Sequence, residues 1–330
     1  MNDHPLSFCM LLCSRRRPAL VTQALNSIAS LEIPSGVQFS VLLVENDTVP
    51  QYANIVADFK GKLTIRYESE PEPGLTHVRN HALNTAEKLG VNWIGSIDDD
   101  VVVPKDWLVH MVAAIRTYAD TQIFYGNWIR HTHPDEAKWH PRQHHLNPHP
   151  TGQKIKASSF NNVAIRADVY AQNGMALRLD HRFRFIGGED ADFTRTYLKR
   201  GGIIRSVQGA LAEEYNTPER ATFANRLYRT IATEYASVTI HHKHDPAIIA
   251  ILWSLQTVYR GLVLGMIYIA LGAVLFLFDK QWGRKRYSIG RLLIARAAGV
   301  LRYYFGSPPE LYRDEGDDKN ARTNAIPPSG

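Results

Sequence analysis

The first hundred residues alternate short apolar runs with segments of helical spacing, and this alternation constrains the fold more than any other feature of the chain. The apolar runs, which predict buried strands, are residues 6–13, 37–44, 63–67 and 91–97. The intervening segments, which predict helices, are residues 18–31, about 50–59 and 75–89. Strands and helices in this order favour a parallel α/β sheet with right-handed crossovers.

Polar clusters follow three of these predicted strands, at the points where the strands end. They are Ser14–Arg17, Glu45–Asp47 and Asp98–Asp100. In open α/β sheets, ligands bind beyond the carboxyl ends of the strands. We therefore expect the three clusters to line one crevice.

Asp98, Asp99 and Asp100 are the sharpest local signal. Three adjacent carboxylates repel one another, and hard divalent cations such as Mg²⁺ or Mn²⁺ bind oxygen ligands and bridge carboxylates to substrate phosphates. The alternative is an acidic helix cap, because a helical stretch begins at Pro104. The motif alone leaves both interpretations open.

Two further motifs have a catalytic and a structural interpretation. The acids of Gly187–Asp190 lie at a predicted helix start, where a carboxylate acts either as a general base or as a simple cap. Arg79 and the run Arg15–Arg17 offer planar donor forks suited to phosphate, or are ordinary surface arginines.

The middle of the chain is less regular. Strands are predicted at 122–129 and 158–166, and helices at 189–200 and 219–240. Residues 131–156 hold six histidines and four prolines without apolar periodicity, which predicts a long loop. The histidine spacings do not fit a structural zinc pattern, so we favour a mobile loop near the acceptor.

Residues 247–278 contain one charge, Arg260, in 32 residues, and 261–278 contain none. This meets the threshold for a membrane helix, and basic residues follow it. One span would leave those basic residues outside, against the positive-inside tendency, and two spans need about 40 residues. We expect a re-entrant or interfacial hairpin that bends at its glycines, which are Gly261, Gly265 and Gly272. The alternative is a buried pair of core helices.

The segments after this apolar stretch differ in character. Residues 289–305 are amphipathic and basic, which favours contact with anionic lipid. The polar residues 306–330 have no core pattern and are predicted to be disordered.

Composition excludes several classes. The two cysteines, Cys9 and Cys13, rule out a disulfide scaffold and suggest a reducing compartment, and the N-terminus lacks the pattern of a signal peptide. The net charge of +6 is concentrated beside the apolar segment, which argues against nucleic-acid binding. P-loop, GxGxxG and GxSxG motifs are absent from the sequence.

Taken in order, the motifs resemble glycosyltransferase family 2, over about residues 6–240. The matching stretches are CSRRRP at 13–18, VLLVEND at 41–47, PGLTHVRNHAL at 73–83, IDDDVVVPKDWL at 97–108, FNNVAIR at 160–166, GGEDADF at 187–193 and TPER at 217–220. Among relatives the chain is most similar to bacterial enzymes of exopolysaccharide assembly, such as the succinoglycan glucosyltransferases.

The resemblance implies a GT-A fold, a nucleotide-sugar donor, a divalent metal and inversion at the anomeric carbon. It implies that Asp100 holds Mg²⁺ or Mn²⁺ on the donor diphosphate, together with Asp98. Either Asp98 or Asp99 would contact the ribose or the metal. Asp190 matches the general base of the family, with Glu189 beside it.

The other donor-site positions follow from the same resemblance. Arg79 matches the arginine of an ARN-like motif, and Glu45 lies where the family has an acid near the nucleotide base. Arg15 and Glu189 complete the predicted donor site. Many relatives have a histidine shortly before the PER element, where this chain has Glu214.

We therefore predict a metal-dependent inverting glycosyltransferase that moves a hexose from UDP-glucose or another UDP-hexose to a lipid-linked saccharide. The predicted organisation is a GT-A domain at 1–245, a membrane-associated helical segment at 246–305 and a tail at 306–330, on the cytoplasmic face of the cell membrane. The alternatives are a non-catalytic membrane scaffold and a nucleotidyltransferase.

Overall fold

A single mixed β-sheet forms the centre of the computed structural model, which describes residues 5–139, 145–146, 149–215, 218 and 220–312. The strands within these residues are β1 (Leu6–Ser14), β2 (Val37–Glu45), β3 (Ile65–Ser69), β4 (Trp93–Asp98), β5 (Val101–Val102), β6 (Ile123–His131), β7 (His145–Leu146), β8 (Lys154–Ile155), β9 (Asn162–Arg166) and β10 (Ile204–Tyr215). They are ordered β3-β2-β1-β4-β9-β6-β10-β5, with β7 paired to β6 and β8 to β10.

Helices cover both faces of this sheet and form the C-terminal part of the described chain. They are α1 (Pro18–Ala29), α2 (Ala53–Asp58), α3 (Leu75–Lys88), α4 (Trp107–Thr117), α5 (Pro134–Ala137), α6 (Ala167–Tyr170), α7 (Glu189–Lys199), α8 (Phe223–His244), α9 (Ala247–Phe276) and α10 (Lys280–Phe305). A short 3₁₀ turn lies at His181–Phe183.

The predicted parallel sheet of the N-terminal hundred residues is confirmed. β1 pairs in parallel with both β2 and β4, and β2 pairs in parallel with β3. The register aligns Ser14 with Glu45 and Cys13 with Asp98. Because the strands end level with one another, their polar clusters meet at one edge of the sheet, as the sequence predicted.

The second half of the sheet is mixed. β9 runs antiparallel to β4 and β6, whereas β10 runs parallel to β6. The sequence analysis missed β10, because its register shifts between Val207 and Leu211 and the alternation of apolar residues breaks there. This strand brings Glu214 opposite Val101, directly beside the acidic cluster.

Two apolar clusters sandwich the sheet. One packs α1 and α4 on one face, and the other packs α3 and α7 on the opposite face. The helices of both faces are therefore anchored to the strands that end at the polar edge.

Cys9 and Cys13, both on β1, are free thiols, and burial raises the pKa of each.

The glycines of α9 are packing positions, and the prediction that they bend the helix is wrong. α9 is continuous, and Gly261, Gly265 and Gly272 are buried against α10. A Cβ atom on Gly261 would lie 2.7 Å from the carbonyl oxygen of Leu293, so the glycines permit close approach of the two helix backbones. The hairpin is formed by α9 and α10 together, and α10 begins nine residues before the predicted 289.

α9 is long and apolar enough to cross a membrane, at about 45 Å for its 30 residues. Only 17% of its most apolar window is buried. Its exposed side chains include Leu252, Leu255 and Met266. A buried pair of core helices would not expose these apolar side chains. α10, in contrast, packs against α8, and its Arg296 forms an ion pair with Glu234.

Two predicted irregular regions contain more structure than expected. The 131–156 segment includes α5, β7 and β8, and residues 140–144 and 147–148 lie outside the described residues. Residues 306–312 are not a disordered tail, because Tyr312 donates its backbone N–H to the carbonyl of Phe185 at 3.0 Å. The remainder of the predicted tail, 313–330, lies outside the described residues.

Asn162 joins several elements beneath the site. Its side-chain amide donates to the carbonyls of Asn127 at 2.6 Å and Ala210 at 2.9 Å, and its oxygen accepts from the Trp107 indole at 2.8 Å. Asn162 is fully buried, so each lost hydrogen bond would leave a buried polar group with neither a protein partner nor water to bond to.

We expect Asn162→Ala to lower the free energy of unfolding by about 2–4 kcal/mol, because it orphans two carbonyls and an indole N–H. Urea denaturation of the purified protein measures this loss. The matched control is Asn54→Ala at an exposed position of α2, which should change stability by less than about 0.5 kcal/mol. Equal effects of the two substitutions would contradict the assigned role.

Candidate active site

A pocket of about 430 Å³ lies where the β1 and β4 strands end and the α7 helix begins. Its acidic lining residues are Asp98, Asp99, Asp100, Glu189, Asp190 and Glu214. Its arginines are Arg15, Arg17, Arg79, Arg220 and Arg229. Six acids and five arginines nearly balance, so the charges of this pocket are compensated largely within it.

Asp98 and Asp100 have different environments although they are close in sequence. The Asp98 side chain is 41% exposed and accepts a hydrogen bond from Arg79 at 2.7 Å. Asp100 is buried and pairs with Arg220 at 2.5 Å, while Arg17 lies 3.7 Å away. Asp98 is therefore the more accessible carboxylate of the two.

Asp99 is held by the loop that follows β1. It accepts hydrogen bonds from the Ser14 hydroxyl at 2.6 Å and from Arg17 at 2.9 Å. Burial raises the pKa of Asp99, and the neighbouring charge of Asp100 adds to this effect. Both of its carboxylate oxygens are engaged, so Asp99 fixes the β1–α1 loop at the edge of the pocket.

Arg79 connects the two acidic motifs that the sequence singled out. One amino group binds Asp98 and the other binds Glu189, while its guanidinium lies over the Phe160 ring. A planar fork suits this double contact, because two carboxylates can bind it in fixed directions. Arg79 therefore sets the separation between the acidic end of β4 and the start of α7.

The first two residues of α7 are carboxylates with unequal exposure. Gly188, at φ +87°, turns the chain into the helix, and Glu189 is buried while Asp190 is partly exposed in the pocket. Burial raises the pKa of both groups, and the charge of Arg79 opposes that rise. A carboxylate with a raised pKa at a pocket wall is a candidate proton acceptor.

Glu214 reaches the same pocket from β10. Its carboxylate lies 3.7 Å from Arg130 and close enough to Asp100 to be affected by its charge. Burial and then the charge of Asp100 raise the pKa of Glu214 to about 7. Ionisation of Glu214 therefore places a second negative charge beside Asp100.

These carboxylates fit a cation that arrives with a phosphate ligand. Among the described residues, no group of three His, Cys, Asp or Glu side chains is placed to hold a metal ion. Mg²⁺ is usually bound by one or two carboxylates plus substrate phosphates rather than by a complete protein cage. Asp98 and Asp100 carry carboxylate oxygens of this kind at one wall of the pocket, where each is paired with an arginine.

The predicted contact of Glu45 with a nucleotide base is not supported by its position. Glu45 is fully buried and does not line the pocket. Its carboxylate accepts the amide N–H groups of Gln51 and Tyr52, at 2.9 and 3.1 Å, and the hydroxyl of Tyr67. It therefore stabilises the turn before α2, and the adjacent Asn46 lines the pocket instead.

Arg15 lies in the pocket wall, as expected for a donor-site residue. The following Arg16 has a left-handed backbone, with φ +54°, and pairs with Asp47 at 2.5 Å. A non-glycine residue in this conformation is strained, and such strain is often found at functional sites.

Three charged or aromatic pocket residues were not assigned from the sequence. Arg220 belongs to the TPER motif, which carried the family resemblance but no assigned role. Arg229 lies on α8, where nothing distinguishes it from a surface arginine in the sequence. Tyr312 lies in the segment predicted to be disordered, and its position depends on the return of α10 toward the sheet.

Comparisons with known proteins show which family and which folds this chain is similar to. The family model described as Glycosyl transferase family 2 matches residues 9–174. The succinoglycan biosynthesis protein ExoM of Rhizobium meliloti (strain 1021) is 25% identical over 228 residues, which are 68% of this chain and 72% of that protein.

Two solved structures share the fold. The mannosyltransferase PcManGT of Pyrobaculum calidifontis, in complex with GDP-Man and Mn²⁺, matches with a TM-score of 0.55 at 15% identity, over 90% of this chain and 87% of that one. Residues 1–349 of S. aureus TarS, in complex with UDP-GlcNAc, match with a TM-score of 0.53 at 14% identity, over 91% and 92%. The chain spans 55% of the longer TarS chain.

The raised pKa of Glu214 yields a prediction about stability. A carboxyl group whose pKa is higher in the folded state stabilises the fold below its unfolded pKa, and this contribution is lost as pH rises through about 7. At pH 8 the ionised Glu214 should cost on the order of 1–3 kcal/mol. We expect Glu214→Gln to raise the melting temperature at pH 8 by several degrees.

The comparison is made by thermal unfolding in the presence of a chelator. At pH 4, where Glu214 is largely protonated in both states, the two proteins should melt within about 1 °C of each other. A difference of the same size at both pH values would refute the electrostatic explanation.

Proposed function

The chain belongs to glycosyl transferase family 2, and from that premise we propose that it transfers a hexose from a UDP-sugar to a lipid-linked saccharide, with inversion at the anomeric carbon. The donor is UDP-glucose or another UDP-hexose, and the product belongs to exopolysaccharide or cell-surface glycan assembly. The similarity to ExoM supports the exopolysaccharide assignment, and the TarS complex with UDP-GlcNAc supports a UDP-sugar.

One observation carries the proposal. A single pocket joins the carboxylates that follow β4 to the carboxylates that begin α7, through the shared guanidinium of Arg79. The first set suits the diphosphate side of a nucleotide sugar, and the second suits an acceptor hydroxyl. A sugar bound between them would present its anomeric carbon to a base opposite the leaving group.

In this mechanism Asp190 accepts the proton of the acceptor hydroxyl as its oxygen attacks the anomeric carbon. The raised pKa of Asp190 makes it a stronger base than an exposed aspartate. Glu189 is committed to Arg79, so it orients that arginine and leaves the proton transfer to Asp190. One base on one face gives a single displacement and therefore inversion.

The departing UDP leaves toward the arginine-rich side of the pocket. Arg15 and Arg17 follow β1, and Arg220 approaches from before α8, so positive charge surrounds the place where the diphosphate charge develops. A divalent cation bound by Asp98 and Asp100 would supply further neutralisation of that charge. Arg79 keeps Asp98 oriented throughout.

The C-terminal hairpin is proposed to hold the enzyme on the cytoplasmic face of the membrane. The exposed apolar side chains of α9 suit the acyl region, and the basic residues early in α10 suit anionic headgroups. A lipid-linked acceptor resides at the same surface. An interfacial hairpin also keeps Arg284, Lys285 and Arg286 on the cytoplasmic side.

The proposed reaction is tested by measuring UDP release across a panel of nucleotide sugars, with membrane extract as the source of acceptor. We expect one UDP-hexose to be consumed with Mg²⁺ or Mn²⁺, and activity to be lost in excess chelator and in Asp100→Asn. Pyrophosphate release would indicate a nucleotidyltransferase instead. Full turnover in chelator would overturn the metal assignment.

Asp190→Asn preserves the shape of the side chain and removes its basicity. We expect turnover to fall by about 10²–10⁴-fold, because this is the usual contribution of a general base, with UDP binding retained. In the parent, turnover should fall as pH drops through the raised pKa of Asp190, because the protonated carboxyl cannot accept a proton.

The control is Asp106→Asn, whose side chain is 50% exposed at the start of α4. It should retain parental activity and the parental pH profile. If Asp190→Asn stays within a few-fold of the parent, Asp190 is a helix cap and not the base.

Membrane attachment is tested by flotation with vesicles that contain or lack anionic lipid. We expect the parent to float with anionic vesicles and a Leu252→Asp, Leu255→Asp variant to remain in solution, because both leucines are exposed on α9. If that variant floats to the same extent as the parent, the hairpin does not make the contact with the membrane.

The turn between α9 and α10 distinguishes the topologies. A cysteine at exposed Gln281 should be labelled in inverted vesicles and protected in intact cells if the hairpin lies in the interface. Labelling from outside intact cells would show a hairpin that crosses the membrane. Native Cys9 is buried and Cys13 is partly exposed in the pocket, so the parent without the Gln281 cysteine sets the labelling background.

A further inference from the structure

The chain leaves α10 and runs back to the pocket over residues 306–312, which we call the return segment. It is fixed at several points. Arg302 donates to the carbonyl of Ser307 at 2.7 Å, and the Glu310 amide donates to the Tyr228 hydroxyl at 3.0 Å. Tyr312 then donates its own amide to the carbonyl of Phe185. The return segment therefore has a defined path that ends at the catalytic pocket.

The Tyr312 ring rests on Gly187, shortly before α7. A Cβ atom on Gly187 would lie 3.1 Å from Cε2 of that ring, and Gly187 has φ +83°, where a side chain is disfavoured. Gly187 thus provides a bare backbone surface for the aromatic ring. The contacted Gly187 lies two residues before Glu189 and three before Asp190, at the start of α7.

Tyr312 and its neighbour Leu311 give the pocket an apolar surface beside its charged groups. Burial raises the pKa of Tyr312, so its hydroxyl remains a neutral hydrogen-bond donor. A pyranose has an apolar C–H face and a rim of hydroxyls, and a tyrosine offers a flat apolar ring with one polar end. Its chemistry therefore matches a sugar better than it matches a diphosphate.

The position of Tyr312 indicates whether it would contact the donor sugar or the acceptor sugar. Ser14, Arg17 and Asn46 line the pocket where the ends of β1 and β2 meet, and a nucleotide would bind at these strand ends. Tyr312 contacts Gly187, which lies three residues before the predicted base, and it lies close enough to Glu189 to be affected by its charge. An acceptor hydroxyl must approach that base, so the acceptor sugar lies next to the tyrosine.

We propose that Tyr312 positions the acceptor, with its ring against the acceptor sugar and its hydroxyl directed to a sugar oxygen, so that the attacking hydroxyl meets Asp190. This inference rests on the proposed glycosyl transfer. Because the return segment follows the α9–α10 hairpin, the wall that receives the acceptor is built by the part of the chain proposed to contact the membrane. Acceptor recognition is thereby linked to the attachment of the hairpin.

The test compares the full-length parent with Tyr312→Ala, Tyr312→Leu and Tyr312→Phe. Transfer of radiolabelled sugar into the lipid fraction is measured against increasing amounts of membrane extract. We expect the half-saturating amount of extract to rise about tenfold in the Ala and Leu variants, and less than threefold in Phe, which keeps the ring. The half-saturating donor concentration and UDP binding should stay within twofold of the parent.

Tyr312→Leu keeps apolar burial, so it remains informative if Tyr312→Ala unfolds. Ser307→Ala, at an exposed position of the return segment that does not line the pocket, is the matched control and should behave as the parent. Parental acceptor saturation in all three Tyr312 variants, with transfer intact, would overturn this inference alone.

Two other outcomes also count against it. Tighter donor binding or faster turnover in Tyr312→Ala would identify the ring as a plug rather than an acceptor wall. Weaker UDP binding with unchanged acceptor dependence would place the tyrosine on the donor side. If the parent releases no UDP from any nucleotide sugar, the proposed function fails and this inference fails with it.

Discussion

The repulsion among the three carboxylates that follow β4 is the constraint on which the rest of the site depends. A buried charge is costly unless it is paired, and each aspartate is paired with an arginine from a different part of the chain. Arg17 comes from the β1–α1 loop, Arg79 from α3 and Arg220 from the segment before α8. The acidic cluster therefore ties the parallel sheet to the helices around it, and the same ion pairs shape a pocket for an anionic ligand.

α7 and α8 extend this arrangement to the C-terminal helices. Asp192 on α7 is buried. It accepts a hydrogen bond from Lys243 at 2.7 Å and pairs with His244 at 2.8 Å, and both of these residues lie at the end of α8. α8 in turn pairs with α10 through Glu234 and Arg296. The start of α7, which carries Asp190, is thus braced from the side of the apolar hairpin. A change in the hairpin would reach the site through packed helices as well as through the return segment.

The local features of the N-terminal half were predictable because they depend on neighbouring residues. Apolar runs and helical spacing located β1, α1, β2 and α3 within a few residues, and parallel strands necessarily bring their carboxyl ends to one edge. The errors arose where contacts with distant strands and helices decide. A register shift against β6 hides β10, and the glycines of α9 pack against α10 instead of bending the helix. The inward orientation of Glu45, whose carboxylate binds amide groups of its own loop, was also not visible in the sequence pattern.

The sequence by itself determined the family, the parallel half of the sheet and the acidic and basic motifs, since these are encoded in composition and spacing. Tertiary structure decided how the charges are shared. In the fold, Asp99 accepts hydrogen bonds from Ser14 and Arg17. Arg79 forms ion pairs with both Asp98 and Glu189, and Glu214 lies beside Asp100. Tertiary structure also carried Tyr312 from a polar tail to the pocket wall, because only the antiparallel packing of α9 and α10 returns the chain to the sheet. Most of these pairs join residues about eighty or more positions apart, so they have no local signature in the sequence and form only in the folded chain.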